Sequence, residues 1–164
     1  MKKLYLIGGT MGVGKTSTCQ ILKTKLPDSV FLDGDWCWDM YPFQVTPETK
    51  RMVLKNITFL LNNFIHCTAY KNIVFCWVMH EQGIIDDILG QLDTADCQVC
   101  LISLVCSRGA LQERLQKDIN AKIRERDVIL RSLERIALYE KLETIKVDVS
   151  DISPEQAAEL IAEM

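Results

Sequence analysis

The hydrophobic pattern of this chain alternates between short apolar runs and longer segments with helical spacing. The short runs are rich in aliphatic and β-branched residues, and they predict strands at residues 3–7, 30–33, 73–79, 97–105 and 143–147. Near-continuous apolar runs are typical of parallel strands that are covered on both faces. We therefore expect a sheet of five parallel strands.

Segments with helical spacing separate these runs. The predicted helices cover residues 15–26, 47–70, 83–92, a stretch from 109 or 110 through 114, 128–142, and a terminal segment from 154. Thr46 and Ser153 are candidate N-caps, because each precedes a proline at the first helical position. The alternation predicts a three-layer α/β fold, in which a five-stranded parallel sheet is flanked by helices. Ligands of such sheets bind outside the carboxyl ends of the strands.

Length and composition are those of an ordinary globular domain. The 164 residues contain no repeat or low-complexity tract, and 48% of them are hydrophobic, so we expect one domain over residues 1–164. The formal charge of −3 disfavours a broad nucleic-acid-binding face. No apolar run has the length of a membrane span and no signal peptide is recognisable, which predicts a cytoplasmic location.

The chain contains seven cysteines, most of them inside apolar stretches. This pattern predicts reduced, buried thiols that act as small hydrophobic side chains. Cys97 and Cys100 form a C-x-x-C motif in or beside the fourth strand, with no second pair and no nearby histidine. A structural zinc site requires four convergent ligands, so we do not expect a zinc or redox role for this pair.

The most specific motif in the chain lies at residues 9–16, where Gly-Thr-Met-Gly-Val-Gly-Lys-Thr matches G-x-x-x-x-G-K-T between a strand and a helix. A simple glycine turn would explain the glycines but not the adjacent lysine and threonine. Glycines let the backbone N–H groups form a cradle for an anion, Lys15 reaches the β- and γ-phosphates as a catalytic cation, and the Thr16 hydroxyl ligates Mg²⁺. We assign nucleotide contacts to Gly9, Met11, Gly12, Val13, Gly14, Lys15, Thr16 and Ser17.

Two carboxylates follow the second strand, at Asp33 and Asp35. If the extended backbone continues that far, strand alternation places Phe31, Asp33 and Asp35 on one side. We assign Asp35 as the base that takes the proton of an acceptor hydroxyl, and Asp33 as a ligand of Mg²⁺ through water. The two roles could be exchanged, and turn formation by the two aspartates is the structural alternative.

Three features together resemble the small P-loop kinases: the motif at residues 9–16, a second strand that ends in Leu32-Asp33-Gly34-Asp35, and an arginine-bearing segment after the fourth strand. Shikimate, gluconate, adenylylsulfate and chloramphenicol kinases are nearer in pattern than nucleoside monophosphate kinases. The resemblance spans nearly the whole chain in element order and implies a P-loop NTPase fold with ATP and Mg²⁺ as cofactors. It also implies a mobile lid at about residues 114–127, with Arg114 as a catalytic residue and Arg124 and Arg126 as ATP contacts.

The chain departs from this family pattern in two places. The third strand is followed by Trp77-Val78-Met79-His80-Glu81 and lacks the aspartate that many P-loop NTPases use there for the metal, which moves that role to Asp33. In the predicted lid, Arg114 is followed by Gln116-Lys117-Asp118 rather than by a second arginine. A histidine at a strand end, such as His80, is more often structural than catalytic.

These features predict an ATP-dependent phosphotransferase that moves the γ-phosphate to a hydroxyl of a small molecule. The alternatives are a nucleoside or nucleotide kinase, a P-loop ATPase or switch that acts on a partner protein, and a nucleotide-binding module without turnover. A guanine-specific switch is disfavoured because the chain has no N-K-x-D motif. The rings of Trp36, Trp38, Tyr41 and Phe43 near Asp35 favour a flat or partly apolar acceptor, such as a nucleoside or an antibiotic, and the oligomeric state is left open.

Overall fold

The computed structural model describes residues 1–123 and 127–164. In this part of the chain, the strands are β1 (Lys2–Gly8), β2 (Ser29–Asp33), β3 (Asn72–Cys76), β4 (Cys97–Val105) and β5 (Ile145–Asp148). The α-helices are α1 (Lys15–Lys25), α2 (Pro47–His66), α3 (Gln82–Leu89), α4 (Arg108–Asn120), α5 (Val128–Glu140) and α6 (Pro154–Ala162), and a 3₁₀-helix covers Gly34–Trp38.

The five strands form one parallel sheet in the order β2-β3-β1-β4-β5. This arrangement confirms the predicted three-layer α/β fold with helices on both faces. Strand β1 is central, and the chain continues on one side of it to β2 and β3 and on the other to β4 and β5. The connection after β1 therefore opens at the middle of the sheet, where the strand order reverses and where sheets of this kind bind ligands.

Alternate side chains of β1 enter two separate hydrophobic cores. Tyr5 and Ile7 pack with α1, α4 and α6 on one face of the sheet. Leu4 and Leu6 pack with α2 and α3 on the other face. All four side chains are buried, and each contributes about 1.5–3 kcal/mol through its removal from water. The central strand is therefore held rigidly from both sides, and the loop that follows it begins at a fixed point.

Strand β2 ends at Asp33, as predicted, because the Asp33 carboxylate accepts a hydrogen bond from the backbone N–H of Asp35 and starts the 3₁₀-helix. The extended backbone does not continue to Asp35, so strand alternation does not place Phe31, Asp33 and Asp35 on one side. Other elements end earlier than predicted. Strand β3 ends at Cys76 rather than at residue 79, and Met79 has a left-handed backbone with φ of 36°. Helix α2 ends at His66, four residues before the predicted end.

Helix α4 extends beyond the predicted stretch and ends at Asn120. The first part of the predicted lid at residues 114–127 is therefore helical. Arg124 and Arg126 lie outside the described residues. Among the helices of residues 1–123 and 127–164, none is both long enough and apolar enough to cross a bilayer.

Candidate functional site

The loop between β1 and α1 has the backbone conformation that an anion cradle requires. Gly12 and Gly14 have φ angles of 83° and 100°, which side chains with a Cβ rarely adopt. Gly14 is also the N-cap residue of α1, so Lys15 and Thr16 occupy the first turn of that helix. The positive end of the α1 dipole and its free N–H groups therefore point into the loop.

Lys15 lies along this loop and contacts its backbone. Its Nζ donates hydrogen bonds to the carbonyl oxygens of Gly9 at 2.7 Å and Thr10 at 3.0 Å. Burial lowers the pKa of Lys15, and the nearby acidic groups of Cys76, Asp35 and Asp33 oppose that effect. The cation is therefore held beside the cradle and within the electrostatic field of both candidate carboxylates.

Thr16 and Asp33, which the sequence assigns separately to the metal, lie in contact. The Thr16 hydroxyl donates to Oδ2 of Asp33 at 2.7 Å, and Asp33 is only 5% exposed. A hydroxyl and a carboxylate oxygen are the hard ligands that Mg²⁺ prefers, and Mg²⁺ usually takes one or two protein ligands and completes its shell with water and phosphate oxygens. The described residues hold no group of three His, Cys, Asp or Glu side chains arranged for a metal. The Thr16–Asp33 pair fits Mg²⁺ without such a group.

Asp35 lies in the 3₁₀-helix, two residues beyond the end of β2. Its Oδ1 accepts a hydrogen bond from the indole Nε1 of Trp77 at 3.1 Å. Burial raises the pKa of Asp35 and the negative charge of Asp33 raises it further, while the charge of Lys15 and hydrogen bonds from Trp77 and Trp38 act in the opposite direction. Asp35 itself remains exposed to solvent, so an acceptor molecule can approach it.

Arg114 lies on α4, and its guanidinium donates to backbone carbonyls beside the loop. The acceptors are the carbonyl oxygens of Val13 at 3.2 Å, Val149, and Ser150 at 3.4 Å. Arg114 also borders a cavity of about 130 Å³ next to the loop. The other lining residues include Val13, Gly14, Thr18, Ile152 and Pro154. In this structure the guanidinium of Arg114 is hydrogen-bonded to backbone carbonyls at the base of the loop. The catalytic role of Arg114 stays a prediction.

A larger groove of about 590 Å³ lies elsewhere, between the first half of β4 and residues 142–145. These segments are at the amino ends of β4 and β5, and none of the predicted site residues borders the groove. The loop, Asp33 and Asp35 are at the opposite, carboxyl ends of the strands. We therefore take the carboxyl edge as the candidate site.

Two contacts of this site are not predicted by the sequence pattern. Trp77 enters the sequence argument only as part of the segment after the third strand that lacks the metal-binding aspartate, yet its indole is the hydrogen-bond partner of Asp35. The signal was Gly34: a Cβ at this position would lie 2.5 Å from Cγ of Trp77, so the glycine between the two aspartates makes room for the indole. The second contact joins Thr10, which is buried in the loop, to the carbonyl oxygen of Ser132 in α5 at 3.1 Å.

Comparison with known proteins agrees with this geometry. A family model described as an AAA domain matches residues 6–135. The chain belongs to this AAA domain family. No curated protein matches the chain in sequence. The matched residues of the AAA domain include the loop, both aspartates, Trp77 and most of α5.

Solved structures similar to this AAA domain include several small kinases. A tunicamycin resistance protein from Deinococcus radiodurans has a TM-score of 0.75 at 18% identity, over 99% of this chain and 95% of that one. A gluconokinase from Sinorhizobium meliloti 1021 has a TM-score of 0.67 at 16% identity, over 98% and 94%. The APS kinase from Mycobacterium tuberculosis has a TM-score of 0.67 at 12% identity, over 99% and 96%. The predicted resemblance to small P-loop kinases is confirmed at the level of the fold.

Proposed function

We propose that this protein is an ATP-dependent phosphotransferase, which moves the γ-phosphate of ATP to a hydroxyl group of a small molecule. The observation that carries the proposal is the convergence of three groups at the carboxyl edge of the sheet. These are the loop with Lys15, the Thr16–Asp33 pair at 2.7 Å, and Asp35 two residues after Asp33. Phosphoryl transfer requires a cradle, a metal, neutralising charge and a group that takes the acceptor proton.

The loop and the first turn of α1 form the donor half of the site. Backbone N–H groups of residues 9–16 bind the phosphates, and the ammonium of Lys15 exchanges its present carbonyl partners for phosphate oxygens. Thr16 and Asp33 would hold Mg²⁺, with the carboxylate acting through water. When it is bound, Mg²⁺ would supply positive charge to the phosphate oxygens.

The cavity beside the loop has the size of the nucleobase of the donor. Arg114 forms one part of its wall and Pro154, the first residue of α6, forms another. A guanidinium plane is a flat surface on which an aromatic base stacks, and the proline ring offers it an apolar contact. In this assignment Arg114 contacts the base rather than the transferring phosphate, and the phosphate contacts of the lid are left to Arg124 and Arg126.

Asp35 forms the acceptor half. An ionised carboxylate that is exposed at the site edge can take the proton of an acceptor hydroxyl as the oxygen attacks phosphorus. Its raised pKa makes Asp35 a stronger base than an ordinary aspartate. The neighbouring rings of Trp38, Phe43 and Trp77 pack edge to face and favour an acceptor with a flat or apolar part. Nucleosides and antibiotics have this character, and gluconate does not.

The direct test is an ADP-release assay with MgATP and a panel of hydroxyl compounds. The panel contains gluconate, shikimate, adenylylsulfate, adenosine, thymidine, chloramphenicol and tunicamycin, and each product is examined by mass spectrometry for one added phosphoryl group. We expect ADP to appear with one acceptor or a few related acceptors, in equal amount to the phosphorylated product. Equal ADP release with and without every acceptor would identify an ATPase and overturn the proposal.

Two variants assign the roles within the site. Lys15→Ala should abolish ADP release, whereas Lys23→Ala, on the same helix and hydrogen-bonded to the Gln20 side chain, should retain it. Asp35→Asn should bind MgADP as the wild type does and transfer phosphate only at a small residual rate. Unchanged transfer by Asp35→Asn would refute its role as the base.

A further inference from the structure

Trp77 occupies the position directly after β3, at the edge of the sheet where ATP and the acceptor would meet. Strands β2 and β3 pair in a register that sets Asp33 opposite Cys76. The next residues on the two chains, Gly34 and Trp77, are consequently neighbours, and the indole packs against the glycine backbone so closely that a Cβ there would lie 2.5 Å from it. This packing requires glycine at position 34.

The indole has a single orientation because it is held on several sides. The backbone N–H of Trp77 donates to the carbonyl oxygen of Ile7 at 3.2 Å, which ties the residue to the end of β1. Its ring meets Trp38 edge to face with centroids 5.7 Å apart, and Trp38 meets Phe43 in the same way at 5.1 Å. The direction of the indole N–H is thus set by packing.

That N–H points at the carboxylate of Asp35, with 3.1 Å between Nε1 and Oδ1. An aspartate at position 77 would repel Asp33 and Asp35, and a lysine or arginine would form an ion pair with Asp35. A tryptophan donates a hydrogen bond without adding a charge. It therefore restrains the carboxylate without forming an ion pair with it.

We propose that Trp77 is a positioning residue, whose indole N–H holds the Asp35 carboxylate in the orientation that receives the acceptor hydroxyl. This inference rests on the proposed function, in which Asp35 is the base. A base must be aligned with the proton that it takes, and a misplaced catalytic group loses rate even when its chemistry is intact. The effect of Trp77 should accordingly appear in kcat and not in the binding of ATP.

The contact itself can be tested without any acceptor, by the indole ¹H–¹⁵N resonances of the protein. The resonance that disappears in Trp77→Phe is that of Trp77. In Asp35→Ala the acceptor oxygen is gone, so this resonance should move upfield and its proton should exchange faster with water. In Asp35→Asn an acceptor oxygen remains, so the chemical shift of the Trp77 indole should stay close to that of the wild type. An unchanged Trp77 resonance in Asp35→Ala would show that the hydrogen bond is absent and would overturn the proposal.

The role is tested by steady-state kinetics with the acceptor identified in the ADP-release assay. Trp77→Phe should lower kcat by about tenfold, the equivalent of one hydrogen bond, with the KM for MgATP unchanged. Incorporation of 3-benzothienylalanine at position 77 keeps the shape of the ring and lacks only the N–H, so it should give the same loss even if Trp77→Phe folds poorly. A benzothienylalanine protein with wild-type kcat would overturn the proposal.

Two further measurements separate positioning from general stability. Tyr139→Phe removes a buried hydrogen bond to the carbonyl oxygen of Val78, the residue next to Trp77, and does not touch Asp35; it should keep kcat. In an Asp35→Asn background, the residual rate should not fall further when Trp77 is replaced, and an equal loss in both backgrounds would contradict the role. If the wild-type protein transfers phosphate to no acceptor, the proposed function fails, whereas the indole resonance still reports the contact.

Discussion

The Thr16 hydroxyl donates to Oδ2 of Asp33 at 2.7 Å, and this hydrogen bond links the first turn of α1 to the last residue of β2. The other oxygen of the same carboxylate accepts the backbone N–H of Asp35 at 3.0 Å. A single buried side chain therefore connects the phosphate loop to the 3₁₀-helix that carries Asp35. Binding of a metal between Thr16 and Asp33 would act directly on the position of the proposed base.

Asp33→Asn should remove the dependence of nucleotide binding on Mg²⁺. Asparagine keeps an oxygen for the Asp35 N–H, so the 3₁₀-helix should persist, but the charge that holds the metal is lost. We expect the Kd for ADP in the presence of Mg²⁺ to rise by roughly 10–100-fold, with little change in the absence of Mg²⁺. Isothermal titration calorimetry with and without Mg²⁺ measures both values. Asp39→Asn, exposed at the end of the same helix, is the control, and an undiminished Mg²⁺ effect in Asp33→Asn would contradict the assignment.

Gly12→Ala should destabilise the protein strongly, and Gly109→Ala should not. At Gly12 the φ of 83° costs a residue with a Cβ about 1–2 kcal/mol, and the new Cβ would overlap the side chain of Leu115 on α4, which costs about 1–3 kcal/mol more. A Cβ at Gly109, also on α4, meets no atom within 4 Å. Alanine there should stabilise the helix by about 0.5–1 kcal/mol. Urea unfolding curves compare the two variants, and equal stabilities would contradict the packing between loop and helix.

Arg114→Ala should lower both the stability of the protein and its affinity for nucleotide. The guanidinium donates to the carbonyl oxygens of Val13, Val149 and Ser150, and the loss of these partners in a partly buried place should cost about 1–3 kcal/mol. Chemical denaturation and titration with ADP measure the two effects. Arg131→Ala, which removes an exposed ion pair with Asp127, should change stability by no more than about 0.5 kcal/mol. A stable Arg114→Ala protein with weak affinity would assign Arg114 to the nucleotide alone.

His80 should make the protein less stable as the pH falls below neutral. Burial lowers the pKa of His80 from its ordinary value of 6.5; the positive charges of Arg135 on α5 and Lys50 on α2 act in the same direction, and Glu81 opposes them. The unfolded chain therefore takes up a proton at a higher pH than the folded protein does. Stability is full above the unfolded value of 6.5 and declines as the pH falls through it toward the lower folded pKa.

The control for this prediction is a comparison of two histidine variants by thermal melts at pH 7.5 and 5.5. His80→Gln should reduce the loss of stability between these pH values. His66→Gln, on the exposed end of α2, should leave most of that loss in place. If His80→Gln loses as much stability as the wild type, the histidine does not contribute to the pH dependence.

Periodicity and local motifs predicted the elements and their order. Continuous apolar runs indicated strands that are covered on both faces, and the G-x-x-x-x-G-K-T motif specified a strand, a phosphate loop and a helix within sixteen residues. Both patterns involve residues that are close in sequence. They reflect the local backbone preferences of those residues and the spacing of their apolar side chains. The placement of Thr16 and Asp33 at one edge of the sheet also followed, because each comes after the carboxyl end of a parallel strand.

Contacts between distant residues were decided only in the tertiary structure. The Asp33 carboxylate stops β2 and turns Asp35 out of the strand, because a side chain can compete with the sheet for a backbone N–H. Trp77 meets Asp35 across 42 residues, and Arg114 meets Val13 across 101 residues. Such contacts depend on strand register and on helix packing, which apolar periodicity does not encode. The sequence by itself determined a nucleotide-binding α/β domain, and the packing of β2 against β3 decided which side chain orients its candidate base.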